Sequence, residues 1–176
     1  MDTPMVNLAF SGMSFFFKLR YFLFPPRDIL QEVGIEPGFH VLDYGCGPGG
    51  YLLDTVELVG ESGMVYALDI HPLAVQKVKD IVKKKGLANV KTICSGCHTG
   101  LPDNSIDVVL LYDVFHMLSE PEAVLSELHR VLKQDGILSF TADHMEKDKA
   151  ISSVTEGRLF RLSKDGGRTL SFSKQE

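Results

Sequence analysis

Apolar and polar positions follow two periods along this chain. Short, nearly continuous apolar runs at residues 39–44, 64–69, 90–94, 106–112 and 137–141 have the length and composition of buried strands. Between them the period lengthens. Ala74, Val75, Val78, Ile81 and Val82 share one helical face, with Pro72 placed to open the helix. Lys83, Lys84 and Lys85 fall near its end, where cations suit the negative pole of the helix dipole. Val124, Leu125, Leu128, Val131 and Leu132 mark a second such face, opened near Pro121 and closed before Asp135-Gly136. A short helix over 27–33 is expected after Pro25-Pro26, and Gly34 and Pro37-Gly38 then break the chain before the first strand. Strands alternating with helices predict an α/β fold: a doubly wound, mostly parallel sheet in three layers. The tail differs. Phe160 and Leu162 alternate with polar residues, Asp165-Gly166-Gly167 follows, and Leu170 and Phe172 alternate again, which predicts a C-terminal antiparallel hairpin.

A length of 176 residues fits one domain, and 44% hydrophobic with 23% charged residues can fill a core. The net charge of −5 gives no general attraction to polyanions, so no nucleic-acid partner is expected. Three cysteines cannot all pair with one another, and no secretory signal is apparent, so the expected compartment is the cytoplasm. No apolar stretch reaches the roughly 20 residues that span a bilayer. The first 30 residues stand apart as an aromatic-rich segment, with residues 31–176 as the domain proper.

Chemistry concentrates in residues 41–51. Two apolar residues, Val41 and Leu42, lead into Asp43, then Tyr44, then glycines at 45, 47, 49 and 50. This is a strand, a tight turn and a helix start, where glycines let backbone approach a ligand and helix-start amides favour electron-rich groups. Gly45, Gly47 and Gly50 fit the G-x-G-x-x-G of dinucleotide enzymes, a weak match alone. Asp69 ends the second strand 19 residues after Gly50, placed to accept both hydroxyls of a ribose. A nicotinamide dinucleotide and S-adenosylmethionine both satisfy that pattern. Asp43 separates them, because a carboxylate beside the glycine turn repels a pyrophosphate and attracts the ammonium of a methionine moiety. The plainer reading of Asp43 is an acid that caps a turn.

The segment Asp43-Tyr44-Gly45-Cys46-Gly47-Pro48-Gly49 resembles the signature loop of class I S-adenosylmethionine-dependent methyltransferases. Val65-Tyr66-Ala67-Leu68-Asp69 is similar to their second strand, and 101–109 to the approach to their fourth. Residues 127–133 followed by Asp135-Gly136 resemble the helix and turn before their fifth. The subgroup most resembled includes the ubiquinone/menaquinone-biosynthesis and arsenite methyltransferases. The resemblance implies a Rossmann-like methyltransferase fold with a seven-stranded sheet and a terminal hairpin. It implies that S-adenosylmethionine is held by Asp43, Tyr44, Gly45, Cys46 and Gly47 at the methionine end and by Asp69 at the ribose. Ile70 or His71 would flank the adenine. Many relatives carry an acid just after the third strand, near the adenine amino group. Here that stretch reads Ser95-Gly96-Cys97-His98, so either backbone groups or Cys97 take that place or the adenine is bound more weakly.

The expected reaction is methyl transfer to a small molecule, apolar if the aromatic first segment lines its pocket, with no metal. Its alternatives are a nicotinamide-dependent oxidoreductase and a non-catalytic S-adenosylmethionine-binding domain. Asp113 and His116, just past the fourth strand, are the candidate catalytic or acceptor-side groups, since ligands bind at the carboxyl ends of strands where their order reverses. His116 reads equally as a helix-face residue. Asp143-His144, after the fifth strand, is a weaker candidate by the same logic. Cys94-Ser95-Gly96-Cys97-His98 spells a haem-attachment pattern, but it starts where a core strand ends and lacks an export route. Phe10, Phe15, Phe16, Phe17, Tyr21, Phe22 and Phe24, with Lys18 and Arg20 among them, are too dense for an exposed tail. They read as a lid over an apolar acceptor pocket, as a packing or dimer element, or as a peripheral membrane contact through residues 10–24.

Overall fold

The computed structural model describes residues 26–142 and 145–175. Its framework is one seven-stranded sheet in the order β3-β2-β1-β4-β5-β7-β6. The strands are β1 (His40–Tyr44), β2 (Met64–Asp69), β3 (Val90–Cys94), β4 (Ile106–Leu111), β5 (Leu132–Phe140), β6 (Phe160–Asp165) and β7 (Leu170–Lys174). The first five are parallel, and β7 lies antiparallel between β5 and β6. The helices are α1 (Pro26–Val33), α2 (Leu52–Val59), α3 (Pro72–Lys85), α4 (Pro121–Val131) and α5 (Lys147–Thr155). This is the doubly wound sheet with a terminal hairpin that the alternating pattern predicts.

The layers follow from strand geometry. Successive side chains of β1 point to opposite faces, and both faces are covered, so Val41 and Leu42 are alike inaccessible to solvent. Leu42, Leu68, Val109 and Leu111 join α4 and α5 in one core, while Val41, Val65, Val108 and Leu110 join α1, α2 and α3 in the other. Helix α3 starts and stops where its sequence says. Pro72 occupies its first turn, the His71 ring accepts a hydrogen bond from the Leu73 amide at 3.1 Å, and Gly86 closes it in the left-handed conformation.

One boundary departs from expectation. The fifth strand begins at Leu132, not at residue 137, because the pairing with β4 jumps from Ile106↔Leu132 to Val108↔Ile137. Residues 133–136 bulge out of the ladder, so Asp135-Gly136 turns inside a strand and not before it. A Cβ on Gly136 would sit 2.2 Å from Leu132 Cδ2 and 3.0 Å from the Lys133 carbonyl, so only glycine closes this bulge. Lys133 anchors it through a 2.7 Å ion pair with Asp107.

Two features of the topology place the site. The chain builds β1, β2 and β3 outward and then returns to the far side of β1 to form β4, so the strand order reverses between β1 and β4. The connection that makes this return, residues 95–105, contains no helix. The β6–β7 turn reaches the same end of the sheet as the carboxyl ends of the parallel strands, since Phe140 pairs with Leu170. Helix α1 is latched there: Glu32 accepts hydrogen bonds from the amide and the hydroxyl of Thr169, both at 3.1 Å.

Candidate functional site

At the carboxyl end of β1 the chain turns sharply. Gly45, Gly47 and Gly49 all adopt positive φ, at 80°, 51° and 84°. Gly45 shows why a side chain is excluded, since a Cβ there would meet the Val114 side chain at 2.9 Å. The glycine turn and the segment after β4 are therefore in direct contact across the switch point. Gly47 differs, because a Cβ there would meet nothing within 4 Å and its outer side faces open space. The amides of Gly45 and Cys46 both donate to the Leu68 carbonyl, at 2.8 and 2.9 Å, which fastens the turn to the end of β2.

Two carboxylates lie under and beside this turn. Asp43 is 3% exposed, and its Oδ2 is buried without a hydrogen-bond partner among the described residues. Burial, with a smaller push from the charge of Asp69, raises its pKa to about 7. Its buried, unpartnered oxygen answers the turn-capping reading: the structure leaves one acceptor beneath the glycines for something else to satisfy. Asp69 accepts from the Gly47 amide at 2.8 Å through Oδ2 and from the His71 amide at 2.7 Å through Oδ1. Burial raises its pKa as well, and those two amides pull it back. Each Asp69 oxygen keeps a further lone pair for a ligand hydroxyl.

The remaining predicted residues divide by role. Cys46 is buried in the turn, and burial beside Asp43 and Asp69 pushes its thiol well above the ordinary range, so the position serves packing and not nucleophilic chemistry. Tyr44 is a strut: its hydroxyl donates to the Gly96 carbonyl and ties the end of β1 to the turn after β3. His71 spends a ring nitrogen on the cap of α3, which leaves Ile70 as the residue facing outward. Ile70, Gly96 and Cys97 line a cleft of about 900 Å³ that opens between the post-β3 loop and α4. Asp113 follows β4 in the left-handed region, at φ 58°, with its amide donating to Thr141 Oγ1 at 3.1 Å. A non-glycine residue held there marks a constrained position. His116 lies exposed on the short 3-10 turn Phe115–Met117. Asp143 and His144 lie outside the described residues, as does the aromatic segment 10–24. Among the described residues no cluster of three or more His, Cys, Asp or Glu is placed to hold a metal ion, and no helix is long and apolar enough to cross a membrane.

Sequence reasoning missed several supports. Tyr51 and Tyr112 pack edge to face at 5.0 Å between ring centroids, and the Tyr112 hydroxyl pairs with Ser139 at 2.7 Å. Glu127 of α4 reaches across to Thr99. The spacing of Glu127 and Arg130, one helical turn apart, was a visible signal of an ion pair. Nothing in the sequence pointed to Thr99 as their partner.

The electrostatics lead to a stability prediction. Between its ordinary value near 4 and about 7, Asp43 holds a proton in the folded chain that the unfolded chain releases. Folding stability from this group therefore falls as pH rises through that window and stays lost above it. Asp43→Asn is expected to match the parent near pH 4 and to exceed it at pH 8, by on the order of 1–4 kcal/mol. Urea unfolding of both proteins at the two pH values measures this.

Comparison with known proteins identifies the family. A family model described as a methyltransferase domain matches residues 35–170. A demethylmenaquinone methyltransferase from Geobacillus stearothermophilus is 33% identical over 112 residues, 63% of this chain and 48% of that protein. A ubiquinone/menaquinone biosynthesis C-methyltransferase from Burkholderia cenocepacia is 28% identical over 107 residues, 61% of this chain and 44% of that protein. The chain thus spans about half the length of the curated relatives it matches. A solved S-adenosylmethionine-dependent methyltransferase from Aquifex aeolicus superposes with a TM-score of 0.75 at 32% identity, covering 88% of this chain and 91% of that one. With a family model covering most of its length and the acid-flanked glycine turn at its switch point, the chain belongs to the class I S-adenosylmethionine-dependent methyltransferases.

Proposed function

We propose that this protein transfers a methyl group from S-adenosylmethionine to a small apolar acceptor of the quinone-precursor class. The observation that carries the reading is the buried Asp43 oxygen under the glycine turn, with Asp69 beside it. Two acids there favour a ligand with a cationic amino-acid tail and oppose a diphosphate, which weighs against the nicotinamide alternative. Gly47 has open space on its outer side, so the backbone can approach a ligand closely. Asp43 and the turn from Tyr44 to Gly47 would hold the methionine end, Asp69 the ribose, and Ile70 and Cys97 the base. Bound S-adenosylmethionine supplies a methyl carbon already activated by its positive sulfur.

The chain's own task is then placement. Orienting two reactants can remove roughly 7–11 kcal/mol from a barrier. Asp113, locked in a left-handed conformation against the glycine turn's neighbour Val114, and His116, on the exposed turn that follows, are the acceptor-side groups in this reading. One of them takes up a proton if the acceptor arrives protonated. The acceptor class is drawn from the relatives, whose names specify demethylmenaquinone and ubiquinone/menaquinone biosynthesis. The aromatic residues of segment 10–24 fit the same class, as an apolar cap over the acceptor.

S-adenosylhomocysteine affinity, followed by calorimetry, is expected to rise as pH increases through 7, because its ammonium group favours ionised Asp43. Asp43→Asn is expected to abolish that rise, and a pH-independent parent would remove Asp43 from the site. Asp69→Ala should weaken the same binding by about 1–3 kcal/mol, the cost of losing charged hydrogen bonds. Deleting residues 1–24 should leave S-adenosylhomocysteine binding intact while methyl transfer to a demethylated quinol falls at least tenfold. Equal turnover of quinol by the truncated and full chains would refute the cap.

A further inference from the structure

The post-β3 loop runs from beside Asp69 to β4 without a helix to stiffen it, yet polar contacts fix it first at Ser95 and Gly96 and again at Thr99. At its start the Ser95 amide donates to the Asp69 carbonyl at 3.2 Å, Tyr44 holds the Gly96 carbonyl, and Gly96 lies against Ile70. Four residues on, Glu127 takes over. Its Oε1 accepts from the Thr99 amide at 2.8 Å, the Thr99 hydroxyl at 2.7 Å and Arg130 Nη2 at 2.8 Å, and its Oε2 accepts from Arg130 Nε at 2.8 Å. Arg130 also donates to the Leu101 carbonyl at 2.9 Å and pairs with Asp103. Thr99 is 3% exposed and Glu127 7%.

Glu127 accepts four hydrogen bonds from within the chain, three at Oε1 and one at Oε2, all from Thr99 and Arg130. It borders the cleft shared by Ile70, Gly96 and Cys97, and these bonds direct its carboxylate at the loop. We infer that Glu127 is a positioning residue that sets the purine preference of the cofactor site by fixing the path of residues 95–99 through Thr99. This rests on the proposed placement of the base beside Ile70 and Cys97.

The physical reason lies in what this loop presents. Residues 95–98 contain no carboxylate to accept from an exocyclic amine. Within this loop, the groups beside the proposed base are the main chain and the Cys97 side chain. A long acidic side chain can follow a displaced base by rotating, whereas main-chain groups read a base only where the loop's path puts them. Two of the carbonyls, those of Gly96 and His98, already accept from Tyr44 and Ser95, which constrains the orientation of the peptides around Cys97. Adenine offers a donor at its 6-amino group beside an acceptor at N1. Hypoxanthine reverses both. A fixed main-chain edge distinguishes them, because the wrong base leaves polar groups facing like groups. A loop free to shift does not.

The test compares S-adenosylhomocysteine with S-inosylhomocysteine, its 6-oxo analogue, by calorimetry on the full chain. The parent is expected to prefer the adenosyl ligand. Glu127→Ala is expected to lose about tenfold in affinity for it, the scale of one main-chain hydrogen bond to the base, and less than about threefold for the inosyl ligand, so the preference collapses. Thr99→Val, which removes the hydroxyl's bonds to Glu127 and from the Leu101 amide but keeps the Thr99 amide on Glu127, should shift the ratio in the same sense by less. It decides the matter if Glu127→Ala does not fold. Equal losses for both ligands, an unchanged ratio, or a parent without preference overturns the positioning role. A parent that binds neither ligand overturns the cofactor placement and this inference with it.

Discussion

Two carboxylates buried at the carboxyl ends of adjacent parallel strands set the terms for the rest of this structure. Asp43 is the penultimate residue of β1 and Asp69 the last of β2, and each is raised in pKa by burial. Removing a charge from water is costly unless partners replace the water. Asp69 is compensated by two amides, one of which, Gly47, belongs to the glycine turn. Asp43 is not compensated in the same way: its Oδ2 is buried without a hydrogen-bond partner among the described residues. The turn must pass close above both acids, and the segment after β4 closes against the turn at Val114, so glycine is required at position 45.

Around that centre the fold supplies rigidity by different means on each side. On the α3 side, helix caps do the work: His71 and Gly86 bracket a helix whose last turn carries three lysines. On the post-β3 side no helix exists between Cys94 and Ile106, and discrete side-chain contacts replace it. Arg130 grips Glu127 through two nitrogens, a geometry that fixes direction as well as distance. That grip, with help from Thr99, holds the Glu127 pKa down to about 2, so the clamp stays charged across the physiological range. On the hairpin side, Glu32 of α1 clasps the β6–β7 turn, which brings the start of the described chain beside the open end of the sheet.

The limits of β2 could be read directly from the sequence, because it is a compact apolar run that starts after a glycine. Helix α3 was legible for the same reason, with a proline at its start and a glycine after its end. The start of β5 was not. Leu132 satisfies the helical period of α4 and also pairs with Ile106 across the sheet, and only the pairing shows that the strand has begun. At the site, the glycine turn and both acids were visible as residue types. The roles of Tyr44 and His71 were not, because a strut to Gly96 and a helix cap depend on groups that other segments bring near.

The sequence by itself determined the order of strands and helices, the hairpin at the end, and an acid-flanked glycine turn suited to a cationic ligand. These depend on local period and on residue chemistry, which neighbours along the chain suffice to express. Only the tertiary structure decided that Val114 closes on Gly45, that Thr141 holds the Asp113 amide, and that Glu127 grips Thr99 from 28 residues away. Such contacts depend on strand register and on the angle at which a helix crosses the sheet. A shift of one residue in either would separate the partners while leaving the pattern along the chain unchanged.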